Sequence, residues 1–274
     1  NKAIELKPDY AEAHSNLGTA LQDNSDLTEA IKSYNRAVEI NPTFAKAHNN
    51  LGNTLQELGD LQAAIQSYSR AIEIKPDYAE AHNSLGGILQ MNWDLTGAIA
   101  SYNRAIEINP DYAQAHNNLG AALQENSDLT EAIVSYKRAI EIRPDYAEAC
   151  SNLGSALQEK GDLPEAIKCF KRALKTKPDF ISALIHKLHQ QSFICDWDGI
   201  AEDRDLIPGL GISTDSVAPF AMLALEDHPA RHLNRSVLFA KHKSKGRSSA
   251  LPAITTPSQT PSRLKIGYFS GDFH

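Results

Sequence analysis

Two columns of side-chain amides recur along the sequence at a spacing of 34 residues. Asn16, Asn50, Asn118 and Asn152 form the first, with Ser84 in the remaining place, and Gln22, Gln56, Gln90, Gln124 and Gln158 form the second. A primary amide carries two N–H donors and a carbonyl acceptor, so a stacked row of them can hold the backbone of an extended peptide with little dependence on its side chains. The competing reading is a solvated polar face, since some polar residue must occupy an exposed position. Ser15, Asn49, Asn83, Asn117 and Ser151, one residue before each member of the first column, include no Lys or Arg. A clamp for an acidic chain terminus is therefore disfavoured.

The other reactive side chains point to packing rather than chemistry. His14, His48, His82 and His116 also recur every 34 residues, with Cys150 in the fifth place. Equivalent positions on stacked helices stand roughly 10 Å apart, whereas zinc ligands sit about 2 Å from the metal, so a histidine metal ladder is excluded. His228 and His232, four residues apart, could share a helical face but lack a third ligand, and read as a solvated pair. Cys150, Cys169 and Cys195 make no C-x-x-C spacing, and the first two fall where small core residues belong. That usage suits a reducing, cytoplasmic or otherwise intracellular compartment. No nucleophile–base pair or phosphate loop appears, so an enzyme complete within these residues is not expected.

The elements that position these residues follow from the same period. Pro8, Pro42, Pro76, Pro110, Pro144 and Pro178 are each followed by Asp or Thr and then Tyr or Phe. In register with them come Leu-Gly pairs at 17–18, 51–52, 85–86, 119–120 and 153–154. Ala30, Ala64, Ala98, Ala132 and Ala166 follow, then Tyr34, Tyr68, Tyr102, Tyr136 and Phe170 four residues later. Small residues let two helix backbones approach while the large ones fill the gap between one hairpin and the next. Asp26, Asp60, Asp94, Asp128 and Asp162 stand as N-caps of second helices, with Glu29, Glu131 and Glu165 completing capping boxes. Gly59 and Gly161 suit helix stops. Asp9, Asp77, Asp111 and Asp145 are expected to cap the first helices, with Glu12, Glu80 and Glu148 as box partners.

This pattern resembles the tetratricopeptide family over about residues 1–180. The resemblance implies an all-α, right-handed superhelix of antiparallel helix pairs, a partial repeat followed by five full ones, with first helices lining a concave, peptide-binding groove. Because the sequence starts inside a repeat, without a polar cap for the solenoid end, a fragment of a longer protein is expected. Residues 181–243 read as capping and transition helices, with Pro219 and Pro229 near helix starts, and 244–262, rich in Ser, Thr and Pro, as a linker. Residues 263–274 open with Arg263-Leu264-Lys265-Ile266-Gly267-Tyr268-Phe269-Ser270, which reads as a buried β-strand, the first of a truncated α/β domain.

Three features together resemble the O-linked N-acetylglucosamine transferases, the family 41 glycosyltransferases. They are the asparagine-bearing repeats, Cys195-Asp196-Trp197 in a helical transition region, and the run Ile266 to Phe273. The resemblance implies a parent with two Rossmann-like (GT-B) lobes that transfers N-acetylglucosamine from UDP-GlcNAc to Ser or Thr of proteins without a metal. A plant branch uses GDP-fucose, which leaves the donor open. The family's histidine lies two positions beyond His274, so no catalytic residue falls within the chain and the chain alone is expected to be inactive. The alternative is a non-enzymatic repeat scaffold for protein–protein interaction. In either case the partner is a protein or peptide. A net charge of −7 argues against nucleic acid, and no apolar run approaches the roughly 20 residues of a membrane span.

Overall fold

A computed structural model describes residues 2–213, 217, 222–223 and 225–244, which contain helices and no strand. The short helix α1 (Lys2–Leu6) occupies the register of the last residues of a second helix. Five hairpins follow: α2 (Ala11–Asp23) with α3 (Leu27–Ile40), α4 (Ala45–Leu58) with α5 (Leu61–Ile74), α6 (Ala79–Met91) with α7 (Leu95–Ile108), α8 (Ala113–Glu125) with α9 (Leu129–Ile142), and α10 (Ala147–Lys160) with α11 (Leu163–Thr176). Each second helix also packs on the first helix of the next hairpin, so the core is a continuous row of small clusters. The rest comprises α12 (Ile181–Phe193), α13 (Trp197–Ala201), a 3-10 turn (Ile207–Gly209) and α14 (Pro229–Ser244). The expected linker from residue 245 onward, the strand at 263–270 and Pro219 lie outside the described residues.

Within each hairpin one contact sets the helix separation. The rings of Tyr34, Tyr68, Tyr102, Tyr136 and Phe170 are fully buried over the glycine of the Leu-Gly pair. A Cβ added at Gly120 would lie 2.7 Å from the Tyr136 ring, and one at Gly52 2.6 Å from Tyr68, so no larger residue fits. Burying each ring contributes roughly 1.5–3 kcal/mol of transfer free energy. The corner between the helices requires a left-handed residue. Gly59 and Gly161 meet it with φ of 90° and 88°, while Ser25, Trp93, Ser127 and Cys195 adopt φ of 62°, 61°, 66° and 56° at the same repeat position.

Second helices start largely as the sequence indicates, and first helices do not. Asp26, Asp60, Asp94 and Asp162 accept hydrogen bonds from the backbone N–H three residues on. Asp128 instead accepts from Asn126 Nδ2 at 2.6 Å. Glu29 and Glu165 pair with Lys32 and Lys168 rather than reaching back to the cap. For the first helices the N-cap position falls on Tyr10, Phe44, Tyr78, Tyr112 and Tyr146, none of which caps through its side chain. The expected caps Asp9, Asp77, Asp111 and Asp145 thus stand one residue too early. Asp9 and Asp111 bind Arg36 and Arg138 instead, each at 3.0 Å.

The repeat register continues past residue 180. Phe180 precedes α12 as the tyrosines precede earlier first helices, Cys195 takes the left-handed corner, and Asp196 caps α13 by accepting from Gly199 N at 3.0 Å. Cys195-Asp196-Trp197 is therefore the register equivalent of Gly161-Asp162-Leu163. The second helix then ends at Ala201, before the tyrosine position, which holds exposed Arg204. With no ring to accommodate, the glycine position carries fully buried Leu188. Lys187, 4% exposed, stands at the preceding leucine position and pairs with Asp203 at 2.5 Å. Leu184, Leu188, Ile200, Ile207, Leu210, Val217 and Met222 form a separate core there. Arg235 on α14 is fully buried, donating to Leu210 O at 2.6 Å and Ile207 O at 2.9 Å and pairing with Glu226.

Candidate functional site

The asparagine column occupies one register position on α2, α4, α8 and α10, with Ser84 on α6. Asn16 is exposed and Asn50, Asn118 and Asn152 are half-buried. Two members are tied across the repeats. Asn118 Nδ2 donates to Asn83 Oδ1 of the preceding first helix at 3.1 Å, and Asn152 Nδ2 to Asn117 Oδ1 at 3.0 Å. Asn117 Nδ2 lies 3.4 Å from Asn118 Oδ1, completing a zigzag relay through the third, fourth and fifth repeats. A primary amide has two N–H groups and two carbonyl lone pairs, so Asn118 and Asn152 each keep hydrogen-bonding capacity after the relay is made. The relay also depends on Asn83 and Asn117, which are 7% and 8% exposed. Sequence reasoning registered those two only for lacking a positive charge. The signal that could have found them is asparagine at 49, 83 and 117, the position before the first column in three successive repeats.

The relay stops at the junction of the second and third repeats. Asn49, 5% exposed, is the counterpart of Asn83 and Asn117, but its partner position is Ser84, and Asn49 Oδ1 is buried without a hydrogen bond. The serine hydroxyl ends one bond nearer the backbone than the asparagine amide nitrogen that crosses the span elsewhere.

The glutamine column is engaged internally. Hydroxyls of Tyr34, Tyr68, Tyr102 and Tyr136 donate to the carbonyls of Gln22, Gln56, Gln90 and Gln124 at 3.3, 2.9, 3.0 and 3.0 Å. Burial pushes these phenols well above their usual pKa, which keeps them protonated as donors. Gln22, Gln90 and Gln124 donate their amide N–H to Glu57, Glu125 and Glu159 of the next repeat, the first two at 2.6 and 2.9 Å. Gln56 meets Met91 Sδ at 3.4 Å instead. Gln158 faces Phe170, which has no hydroxyl, and its Oε1 is buried without a partner. The structure therefore separates the two columns: the glutamines are tied to the tyrosines and to the next repeat, and the asparagines of the fourth and fifth repeats to their neighbours in the relay.

The histidine column has a positive structural role. His14, His48, His82 and His116 place Nε2 2.9, 3.2, 3.1 and 3.0 Å from the carbonyl of Pro8, Pro42, Pro76 and Pro110. A carbonyl only accepts, so Nε2 carries the proton and ties each helix to its preceding corner. Where Cys150 replaces histidine, Arg172 donates to Pro144 O at 2.9 Å. His228 Nδ1 accepts from Arg231 N at 3.3 Å, and His232 Nε2 lies 2.9 Å from Glu226 O. Among the described residues no group of three or more His, Cys, Asp or Glu could hold a metal ion, and no helix is long and apolar enough to cross a membrane.

Stacked two-helix hairpins locked by a Gly–Tyr contact and fronted by a polar row of first helices define an α-solenoid of the peptide- or protein-binding class. Family models described as TPR or tetratricopeptide repeat match residues 1–32, 23–59, 45–78, 94–127 and 111–179. Among solved structures, MamA is 30% identical, covering 59% of this chain and 94% of that one with a TM-score of 0.54. YrrB, described as a TPR protein with an unusual peptide-binding site, is 24% identical over 67% of this chain and 94% of that one, TM-score 0.54. The pilF protein of Pseudomonas aeruginosa is 18% identical over 73% and 92%, TM-score 0.64. No curated protein sequence matches the chain. Through its repeats, the chain belongs to the tetratricopeptide-repeat family.

Proposed function

We propose that the chain is a protein-interaction scaffold that holds an extended segment of a partner along the face formed by its first helices. The observation that carries this reading is the asparagine relay: it fixes the rotamers of Asn118 and Asn152 while leaving amide groups free to pair with a peptide backbone. Fixing the side chains beforehand lowers the ordering cost of binding. Substituting Asn16, Asn50, Asn118 and Asn152 together by Ala is expected to weaken binding of a neutral extended peptide at least tenfold in a direct titration. Binding that stays unchanged would remove the role of the column. Helicity should be retained, with a modest fall in Tm because Asn83 and Asn117 lose their partners.

A second reading makes this scaffold the substrate-selecting arm of a UDP-GlcNAc-dependent protein glycosyltransferase. It is supported by the run Ile266-Gly267-Tyr268-Phe269-Ser270-Gly271-Asp272-Phe273, which lies outside the described residues. Cys195-Asp196-Trp197 adds less than its sequence suggests, since its conformation is that of a repeat corner. The natural reading frame after His274 tests this second reading: a histidine two positions on, followed by several hundred residues of alternating strands and helices, is expected, and an early stop codon would leave the scaffold alone.

A further inference from the structure

The repeats act as controls for one another, and one junction departs from the rest in several ways. Between the second and third hairpins Asn49 Oδ1 is left without a partner opposite Ser84, and the acid that elsewhere receives the glutamine is Met91. At the same helix ends, Trp93 occupies the left-handed corner where the other repeats carry Ser, Gly or Cys, and it is 81% exposed. Leu58 and Met91, the last residues of α4 and α6, are 54% and 55% exposed. A bulky aromatic side chain held at positive φ in solvent has a conformational cost and makes no packing contribution. Tryptophan and methionine are enriched where one protein meets another.

Charge identifies the occupant. Glu57 and Glu125 flank the apolar residues at the register position of Met91, one repeat to either side. Each accepts a hydrogen bond from a neutral glutamine amide, which leaves the carboxylate charge uncompensated. On the second helices, by contrast, Glu29, Glu39, Glu73, Glu107, Glu141 and Glu165 all pair with Lys or Arg. Stacked helices stand roughly 10 Å apart, and a partner segment in the polyproline-II conformation advances about 3.1 Å per residue with three residues per turn, so positions three apart share a face. Three residues of peptide therefore span one repeat.

We infer that the junction of the second and third repeats is a docking point for an extended partner segment with a large apolar residue flanked, three positions to each side, by Lys or Arg. The apolar side chain covers Leu58, Met91 and Trp93, and the two cations meet Glu57 and Glu125. This deepens the scaffold reading and rests on it, because the same first helices carry the rest of the segment.

The probe is a labelled peptide, Gly-Lys-Gly-Gly-Phe-Gly-Gly-Lys-Gly, titrated against the full chain by fluorescence anisotropy at low and moderate salt. We expect it to bind at least tenfold tighter than the same peptide with Ala for Phe or with Glu for Lys, and the preference over the Glu peptide to shrink as salt rises. The triple variant Leu58→Asn, Met91→Gln, Trp93→Ser changes only exposed positions and is expected to lose that preference at unchanged Tm. Glu57→Gln with Glu125→Gln should lose the preference for Lys while keeping that for Phe. A peptide bound equally by the wild type and the triple variant overturns the docking point. Asparagine-dependent binding of a neutral peptide with no gain from Lys and Phe overturns this inference and leaves the scaffold reading standing; no binding of either peptide removes both.

Discussion

The second helices of the repeats and α14 both use arginine, and they use it in opposite ways. Arg36, Arg70, Arg104 and Arg138 lie on the repeat surface with side chains about half exposed, each pairing with a glutamate three residues on. Surface pairs of this kind contribute about 0–1 kcal/mol. Arg235 is completely buried, and its guanidinium bridges Glu226 to backbone carbonyls near the 3-10 turn. The repeated part of the chain is held by apolar contacts repeated once per hairpin, so no single ion pair matters there. After residue 201 the repeat is lost, and a buried polar side chain ties α14 to the 3-10 turn, whose Ile207 and Leu210 belong to a small core of their own.

The largest expected effect breaks that comparison directly. Arg235→Ala leaves Glu226 with Arg231 alone and strips the turn carbonyls of their donor, a loss of about 3–5 kcal/mol for the local structure. Hydrogen exchange should rise across α14 and residues 207–210 while the hairpins stay protected; Arg104→Ala should change neither. Next comes Gly120→Ala, whose Cβ would meet the Tyr136 ring. Overpacking of this kind costs about 1–3 kcal/mol, measured as a shift in the urea midpoint. An equal cost for Gly87→Ala, where a Cβ would come no nearer than 3.6 Å to the Tyr102 hydroxyl, would mean that the ring does not set the requirement.

The same division explains what was legible in the sequence. The 34-residue period exposes five copies of every contact, so the Gly18–Tyr34 type of lock and the caps Asp26, Asp60, Asp94 and Asp162 could be read by comparing copies. What could not be read is which side of an element boundary a residue occupies. Asp9 and Tyr10 differ by one position, and that one position decides between a cap and an ion pair with Arg36. Contacts from one repeat to the next were also hidden, because the period displays equivalence and not adjacency; the bond from Asn152 to Asn117, 35 residues apart, needs coordinates. Past residue 201 there is no second copy to compare, so Arg235 could not be recognised as buried; Lys187, at a leucine position of the register, is buried where it pairs with Asp203 beyond that point.

Two gaps in otherwise regular networks give smaller, stabilising changes. Phe170→Tyr would place a hydroxyl against Gln158 Oε1, as Tyr136 does against Gln124 at 3.0 Å. Ser84→Asn would extend the relay to Asn49 Oδ1. Each should add about 1 kcal/mol, read as a rise in Tm, since each supplies a buried acceptor with its donor. The converse, Tyr136→Phe, orphans Gln124 and should lower stability by a similar or larger amount.

The smallest effect is a pH dependence confined to the regular repeats. Burial lowers the pKa of His48 and His82, nearby Arg70 and Arg104 lower it further, and the hydrogen bonds to Pro42 and Pro76 oppose both. A histidine whose folded pKa lies below its unfolded value binds fewer protons when folded, so stability is complete above the unfolded pKa of about 6.5 and falls as pH drops through the interval below it. Melting curves of the wild type and of His48→Phe with His82→Phe, taken from pH 7.5 to 5.5, should therefore converge or cross at the acid end, the wild type losing more. Parallel curves would show that acid acts on groups outside the corner ties, and would leave those ties with a purely geometric role.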